Sequence, residues 1–239
     1  GALALLAAFV LVELRSPSPL VRLGIFRLRS LASSNMVSLL IAGGLFGIFF
    51  FNTLYLQGTL GYSPLEAGLA FLPVTLGVIV AAGLAARVAE RVGVRPVLTA
   101  GLVIAAAGLG LLTQVSVGGT YLGDVLPGSL LLALGIGMAF VPLTIAATAN
   151  VPDEDAGLAS GILNTSQQIG GALGLAILGT LAAGRTASFV GPAPEALVAG
   201  YQRAYLAGAI LLAAGAIVSA VLLRGVTIKT GDGPSVSEH

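Results

Sequence analysis

The sequence has 239 residues, of which 56% are hydrophobic and 9% charged, with a formal net charge of +1 and a mean hydropathy of +1.02. A soluble domain carries roughly 25% charged residues, so this chain cannot clothe a water-facing surface and belongs in a lipid bilayer. The absence of cysteine, with one histidine at the terminal position His239, excludes disulfides, thiol catalysis and imidazole metal or proton chemistry at membrane depth; near-neutral charge without a basic tract excludes nucleic acid. The reading is of a non-enzymatic membrane protein with no metal and no cofactor.

The first segment, residues 1–12 (GALALLAAFVLV), is apolar but short of the roughly 20 residues that span a bilayer. It has no basic flank or cleavage site of a signal peptide. It reads as the end of a truncated transmembrane helix, which would make the chain the C-terminal part of a longer protein. Residues 13–34 follow as a basic connector on the membrane surface. Six full spans are expected next, at about 35–56, 64–87, 96–114, 125–149, 155–183 and 201–223. None shows the two-residue alternation of a membrane strand, so residues 35–223 read as an all-α six-helix bundle. Residues 224–239 read as a polar, disordered tail.

Lys and Arg orient the bundle. Arg15, Arg22, Arg27 and Arg29 precede the first span, Arg87, Arg91 and Arg95 separate the second and third, and Arg224 and Lys229 follow the sixth; only Arg185 and Arg203 fall on the other side. Alternation therefore places the C-terminus and nine of the eleven basic residues in the cytoplasm. The acidic loop 150–157 is the one cytoplasmic loop without them.

Two nearly identical phrases mark helix starts: Glu-Ala-Gly-Leu-Ala at 66–70 and Asp-Ala-Gly-Leu-Ala at 155–159. Ser63, Pro64 and Glu66 suit a capping box with proline at the first helical position, and Asp153, Glu154 and Asp155 face carboxylates to the positive end of a helix dipole. One opens the second span of the first triplet from outside. The other opens the second span of the second triplet from inside. That is the relation expected of a 3+3 inverted repeat.

On the fifth span Gly157, Gly161, Asn164, Gln168 and Gly171 recur at helical spacing. Their glycines suit close helix approach, and their amides suit either interhelical hydrogen bonds or a water-filled cavity. Near the outer end of the first span stand Asn52, Thr53, Tyr55 and Gln57, after the run FGIFFF, whose phenylalanines read mainly as packing or lipid-facing residues. Amides beside aromatics suit bulky amphipathic or cationic organic compounds. Pro73 and Pro142 are expected to kink spans two and four. No Asp, Glu, Lys or Arg falls mid-span, whereas a proton-coupled carrier needs a titrating intramembrane carboxylate; coupling is thus expected to reside outside this chain.

The phrases FNTLYLQGTLGYSPLEAGLAFLP (51–73), AARVAERVGVRPVLTAG (85–101) and VPDEDAGLASGILNTSQQIGGALGLAILGT (151–180) resemble the C-terminal half of a major facilitator superfamily transporter, of the fourteen-span drug:proton antiporter branch. The second phrase is similar to that superfamily's cytoplasmic loop motif, with Glu90 in the acidic position, Arg91 and Gly93 matching, and Arg95 as the final base; Ala86 and Val94 depart from it. The resemblance implies export of small organic compounds by alternating access in a bacterial cytoplasmic membrane, with protons coupled through an N-terminal half. It also implies a cytoplasmic gate at Arg87, Glu90, Arg91, Gly93 and Arg95, across which Asp153–Asp155 could pair with basic residues. Topology enforcement alone is the other reading of those arginines. For the whole chain the alternatives are a metabolite exporter or uniporter of the same fold, or a half-length membrane scaffold.

Overall fold

A computed structural model describes residues 28–149 and 151–223, together with the isolated positions Leu5, Ala8, Leu11, Val12 and Arg15. Most of the expected truncated helix, most of the basic connector and the C-terminal tail lie outside the described residues. Within them every regular element is helical: α1 (Arg29–Leu54), α2 (Pro64–Ala70), α3 (Leu72–Val92), α4 (Val94–Leu112), α5 (Leu126–Thr148), α6 (Ala156–Ser188) and α7 (Ala193–Leu222). Wider π-helical turns extend α1 through Tyr55–Thr59 and precede α5 at Tyr121–Val125. Taken with those turns, and with α2 and α3 as one broken helix, six helices among the described residues are long and apolar enough to cross a membrane.

Helices outrun the expected spans where hydropathy fades before backbone order does. Helix α1 starts at Arg29 rather than at about 35, with Ser33 and Ser34 already buried. Helix α7 starts at Ala193 rather than at about 201, so Arg203 lies inside a helix and not in a loop.

The α2 start is built as its sequence dictates. The Ser63 amide donates to Glu66 Oε2 at 2.8 Å, the Glu66 amide donates to Ser63 Oγ at 3.3 Å, and Pro64 holds the first helical position. The α6 start differs. A 3-10 turn, Asp153–Asp155, leads into it, and Asp155 occupies the N-cap with φ −102° and ψ 0°. An N-cap that accepts from the next amides needs extended backbone, and Asp155 makes no side-chain cap hydrogen bond. The two phrases therefore begin equivalent helices by different means.

The second span is interrupted at Phe71, where α2 ends and α3 begins with Pro73 in its first turn; the Ala70 carbonyl accepts a 2.7 Å hydrogen bond from the Tyr121 hydroxyl. Pro142 is buried inside α5, which runs on through it.

The packing follows the inverted repeat. Helix α1 packs on α6 and α7, its counterpart α5 packs on α3 and α4, and α4 meets α7 between the triplets. The two repeated phrases consequently start helices from opposite ends of the bundle. The α4–α5 seam is closed by facing glycines. A methyl on Gly101 would come within 2.7 Å of the Gly135 carbonyl, and one on Gly108 within 2.6 Å of the Gly128 carbonyl. Large side chains fill the rest of the core, among them Tyr55, Tyr205, Leu98, Leu102, Leu109 and Leu212, all under 2% exposed.

One residue, Gly93, turns α3 into α4 with φ +90° and ψ 161°. That backbone region is open essentially only to glycine, and another residue held there costs about 1–3 kcal/mol. Gly93→Ala is expected to lose stability in that range, read as a lowered thermal midpoint in detergent; an unchanged midpoint would mean that the turn relaxes freely.

Candidate substrate cavity

Three helices, α1, α3 and α5, flank a partly open cavity of about 260 Å3. Ile48 and Phe49 line it from α1, Val78 and Ile79 from α3, and Leu132 and Ile136 from α5, with Phe71 at the helix break. Phe49 and Phe71 lie with ring centroids 5.3 Å apart. Its polar lining side chains are Asn52, Thr75 and Ser129. An apolar hollow with a few fixed polar groups is the usual form of a small-molecule site.

Asn52 is the centre of the polar part. It is 3% exposed; its Oδ1 accepts from the Tyr205 hydroxyl at 2.7 Å, and its Nδ2 donates to Ser129 Oγ at 3.2 Å. One amide thereby joins α1, α7 and α5. A turn further along, the Tyr55 hydroxyl donates to the Ser116 carbonyl at 2.7 Å, its ring edge-on to Tyr201 at 6.3 Å between centroids. Gln202 Nε2 donates to the Val115 carbonyl at 2.8 Å. The Ser116 carbonyl also accepts from the Gly119 amide at 3.1 Å, so the Tyr55 hydroxyl adds a second bond to a turn already closed by backbone.

The structure separates the expected cavity residues. Asn52 reaches the cavity. Tyr55 is fully buried in the bundle's outer end, and Gln57 is exposed. Asn164 and Gln168 lie exposed on α6, together with Gly157 and Gly161, whose added methyls would meet nothing within 4 Å. The close-packed stripe on α6 runs instead through Gly170 and Gly174, which lie against Leu39 and Gly43 of α1. Of the five residues in the expected stripe Gly171 is buried, against the ring of Phe46. The polar stripe is thus an open face of the bundle and not the α1–α6 contact.

The expected gate residues gather at one end. Arg87, Glu90 and Arg91 are exposed in the last turns of α3, Gly93 makes the turn, and Arg95 is partly buried in the first turn of α4. Glu154 is exposed and Asp155 partly buried at the start of α6, at the same end by helix direction; the Asp153 side chain lies outside what is described. Ser129, Tyr205 and Tyr121 carry no periodic signal in sequence. Tyr205 was nevertheless findable, since a tyrosine deep in an apolar span needs a hydroxyl partner, and Asn52 is an amide in another span.

The sequence matches the family model of the Major Facilitator Superfamily over residues 1–175 and 38–236. It is 41% identical to the puromycin resistance protein pur8 of Streptomyces alboniger over 95% of this chain and 46% of that protein. It is 37% identical to the cephamycin export protein CmcT of Amycolatopsis lactamdurans over 93% of this chain and 45% of that one. With a multidrug resistance protein B homolog of Mycobacterium tuberculosis it shares 32% identity over 75% of this chain and 34% of that protein. The chain spans about half the length of the first two relatives and about a third of the third. Six membrane-length helices and these matches identify a multi-pass protein of the bacterial plasma membrane, of a transporter family and not an enzyme family. On its helices, its packing and its sequence, the chain belongs to the major facilitator superfamily.

Proposed function

We propose that this chain forms one half of an efflux transporter for small, mainly apolar organic compounds and works by alternating access. The observation that carries the reading is the cavity between α1, α3 and α5, whose wall is almost wholly aliphatic and aromatic around Asn52 and Ser129. A site of that kind holds its cargo by apolar contact and orients it with few hydrogen bonds. Relatives named for puromycin resistance and cephamycin export support cargo of antibiotic size. The open polar face of α6, with Asn164 and Gln168, would then face the other half across the translocation path.

In this reading a proton moving inward drives export. Among the described residues Glu66, Glu90, Asp124, Glu154, Asp155 and Glu195 all lie near helix ends, so the titrating carboxylate is assigned to the other half. The charged residues at the Gly93 end form the cytoplasmic gate.

The test is uptake into inverted vesicles carrying the whole transporter, with puromycin and a lipophilic cationic dye as cargoes, with and without a protonophore. Val78→Phe, which fills the cavity, is expected to raise the apparent KM about tenfold, since one lost apolar subsite is worth roughly 1–3 kcal/mol. Charge reversal at Glu90 is expected to lower turnover and leave KM in place. Equal KM for wild type and Val78→Phe would remove the cavity from the cargo path, and uptake indifferent to the protonophore would remove proton coupling. A transporter that moves one antibiotic and ignores the dye would be an exporter of a single product.

A further inference from the structure

The two arginines that depart from the charge asymmetry meet in the structure. Arg185 lies in the last turn of α6 and Arg203 in the third turn of α7, and both line one pocket of about 250 Å3 at the end of the bundle opposite the Gly93 turn. Arginine is disfavoured on the translocated side of a membrane protein, so two converging there are not a topology signal. Thr113 and Gln202 complete the polar wall; Thr113 Oγ1 donates to the Gly110 carbonyl at 2.6 Å and one Nε2 hydrogen of Gln202 goes to the Val115 carbonyl. The two guanidinium groups supply the remaining charge and most of the donors.

Nothing among the described residues neutralises them. Arg185 lies over the Phe189 ring, 5.5 Å from its centroid, and no described carboxylate, Glu195 included, forms an ion pair with either guanidinium. Two like charges at the edge of hydrocarbon repel each other and gain most from an anion that both can hold, and the guanidinium fork suits phosphate oxygens.

The surface below each arginine is aliphatic. On α6, Ile177 and Leu181 precede Arg185 by two turns and one, 53% and 39% exposed; on α7, Leu206 and Ile210 follow Arg203 on its face, 43% and 61% exposed. Each cation therefore heads an apolar stripe that runs toward the middle of the membrane. A free anion would leave those stripes unused. We propose that this pocket binds the phosphate of an anionic phospholipid of the outer leaflet, with the acyl chains lying along the two stripes. The site stands apart from the cavity and does not depend on what the protein exports.

The test uses the whole protein, delipidated in detergent, with phosphatidylglycerol, phosphatidylcholine or inorganic phosphate added. Native mass spectrometry and the thermal midpoint report binding. Phosphatidylglycerol is expected to stay bound and raise the midpoint, whereas phosphatidylcholine and phosphate do neither. The double variant Arg185→Gln/Arg203→Gln is expected to bind phosphatidylglycerol at least about tenfold more weakly, the loss of charge-assisted hydrogen bonds. Arg185→Lys/Arg203→Lys, which keeps the charges, is expected to fall between them and serves if the glutamine variant does not fold. Equal retention of both lipids by the wild type, or undiminished binding by the glutamine variant, overturns the site. A midpoint raised equally by phosphate makes it a free-anion site and overturns the lipid assignment.

Discussion

Replacing Asn52 by leucine is expected to destabilise the protein by about 3 kcal/mol, measured by reversible unfolding in mixed micelles. Leucine keeps the branched shape, though with bulkier ends, and removes both hydrogen bonds of a 3%-exposed amide, so the Tyr205 and Ser129 hydroxyls lose their partner together. The two losses are unequal. A serine on a helix can turn back to the carbonyl one turn earlier, here that of Val125. The Tyr205 hydroxyl is fully buried on a rigid ring and cannot follow. An unsatisfied buried group costs about 1–3 kcal/mol, and that term falls on Tyr205. Interhelical hydrogen bonds in membranes are worth about 0.6 kcal/mol on average when both partners can find substitutes; this one exceeds the average because Tyr205 has none. A second variant isolates the cause. Tyr205→Phe, which leaves Asn52 Oδ1 without its donor, should cost about 1–3 kcal/mol, and Asn52→Leu with Tyr205→Phe should be less destabilised than the sum of the singles, since removing both partners leaves neither of them unpaired. Strict additivity would show that the network carries no coupling energy, and that Asn52→Leu acts through packing alone.

That network also marks the boundary of what the sequence reveals. The existence and order of the six helices were legible, because apolar length and the lipid requirement for satisfied backbone leave few other structures. The capping box at Ser63 and Glu66 was legible because its two hydrogen bonds are local. The matching start at 152–155 does place its carboxylates at the α6 N-terminus, but no side-chain cap forms there. Its residue types fit a cap, but the chain enters through a 3-10 turn that sets φ and ψ of Asp155 outside the capping region. On α6 periodicity found a face, Gly157 to Gly171, yet could not say what the face touches. The contact stripe lies one residue away at Gly170 and Gly174, and the polar stripe is exposed. Composition cannot separate two adjacent glycine stripes; only the position of α1 does. The cavity likewise escaped, because Val78, Leu132 and Ile136 are indistinguishable from lipid-facing residues until three helices bring them together.

Gly135→Ala is expected to be among the most damaging single methyls in the bundle. The methyl would fall on the Gly101 carbonyl and on the backbone nitrogen of Ala105, both on α4. A side chain at the contact could rotate away, but helical backbone cannot, so relief requires α4 and α5 to separate. That separation would open a seam in which Leu98, Leu102 and Leu109 are fully buried. Overpacking costs about 1–3 kcal/mol and occasionally more, and collision with rigid backbone places this case at about 3 kcal/mol or above. Intrinsic helix preference pulls the other way by about 1 kcal/mol, since alanine is the better helix former. The two effects separate on one helix. Gly110→Ala on α4 meets nothing within 4 Å, so only the preference acts and the variant should match or exceed the wild type in thermal midpoint. Gly101→Ala, whose methyl would meet the Gly135 carbonyl at 2.7 Å, Met138 Cβ at 2.9 Å and the Ala139 nitrogen at 3.1 Å, should fall between the two, because its collisions with backbone are shallower than those at Gly135. If Gly135→Ala instead unfolds with Gly110→Ala, the α4–α5 seam is held by its leucines and not by the close approach of its glycines.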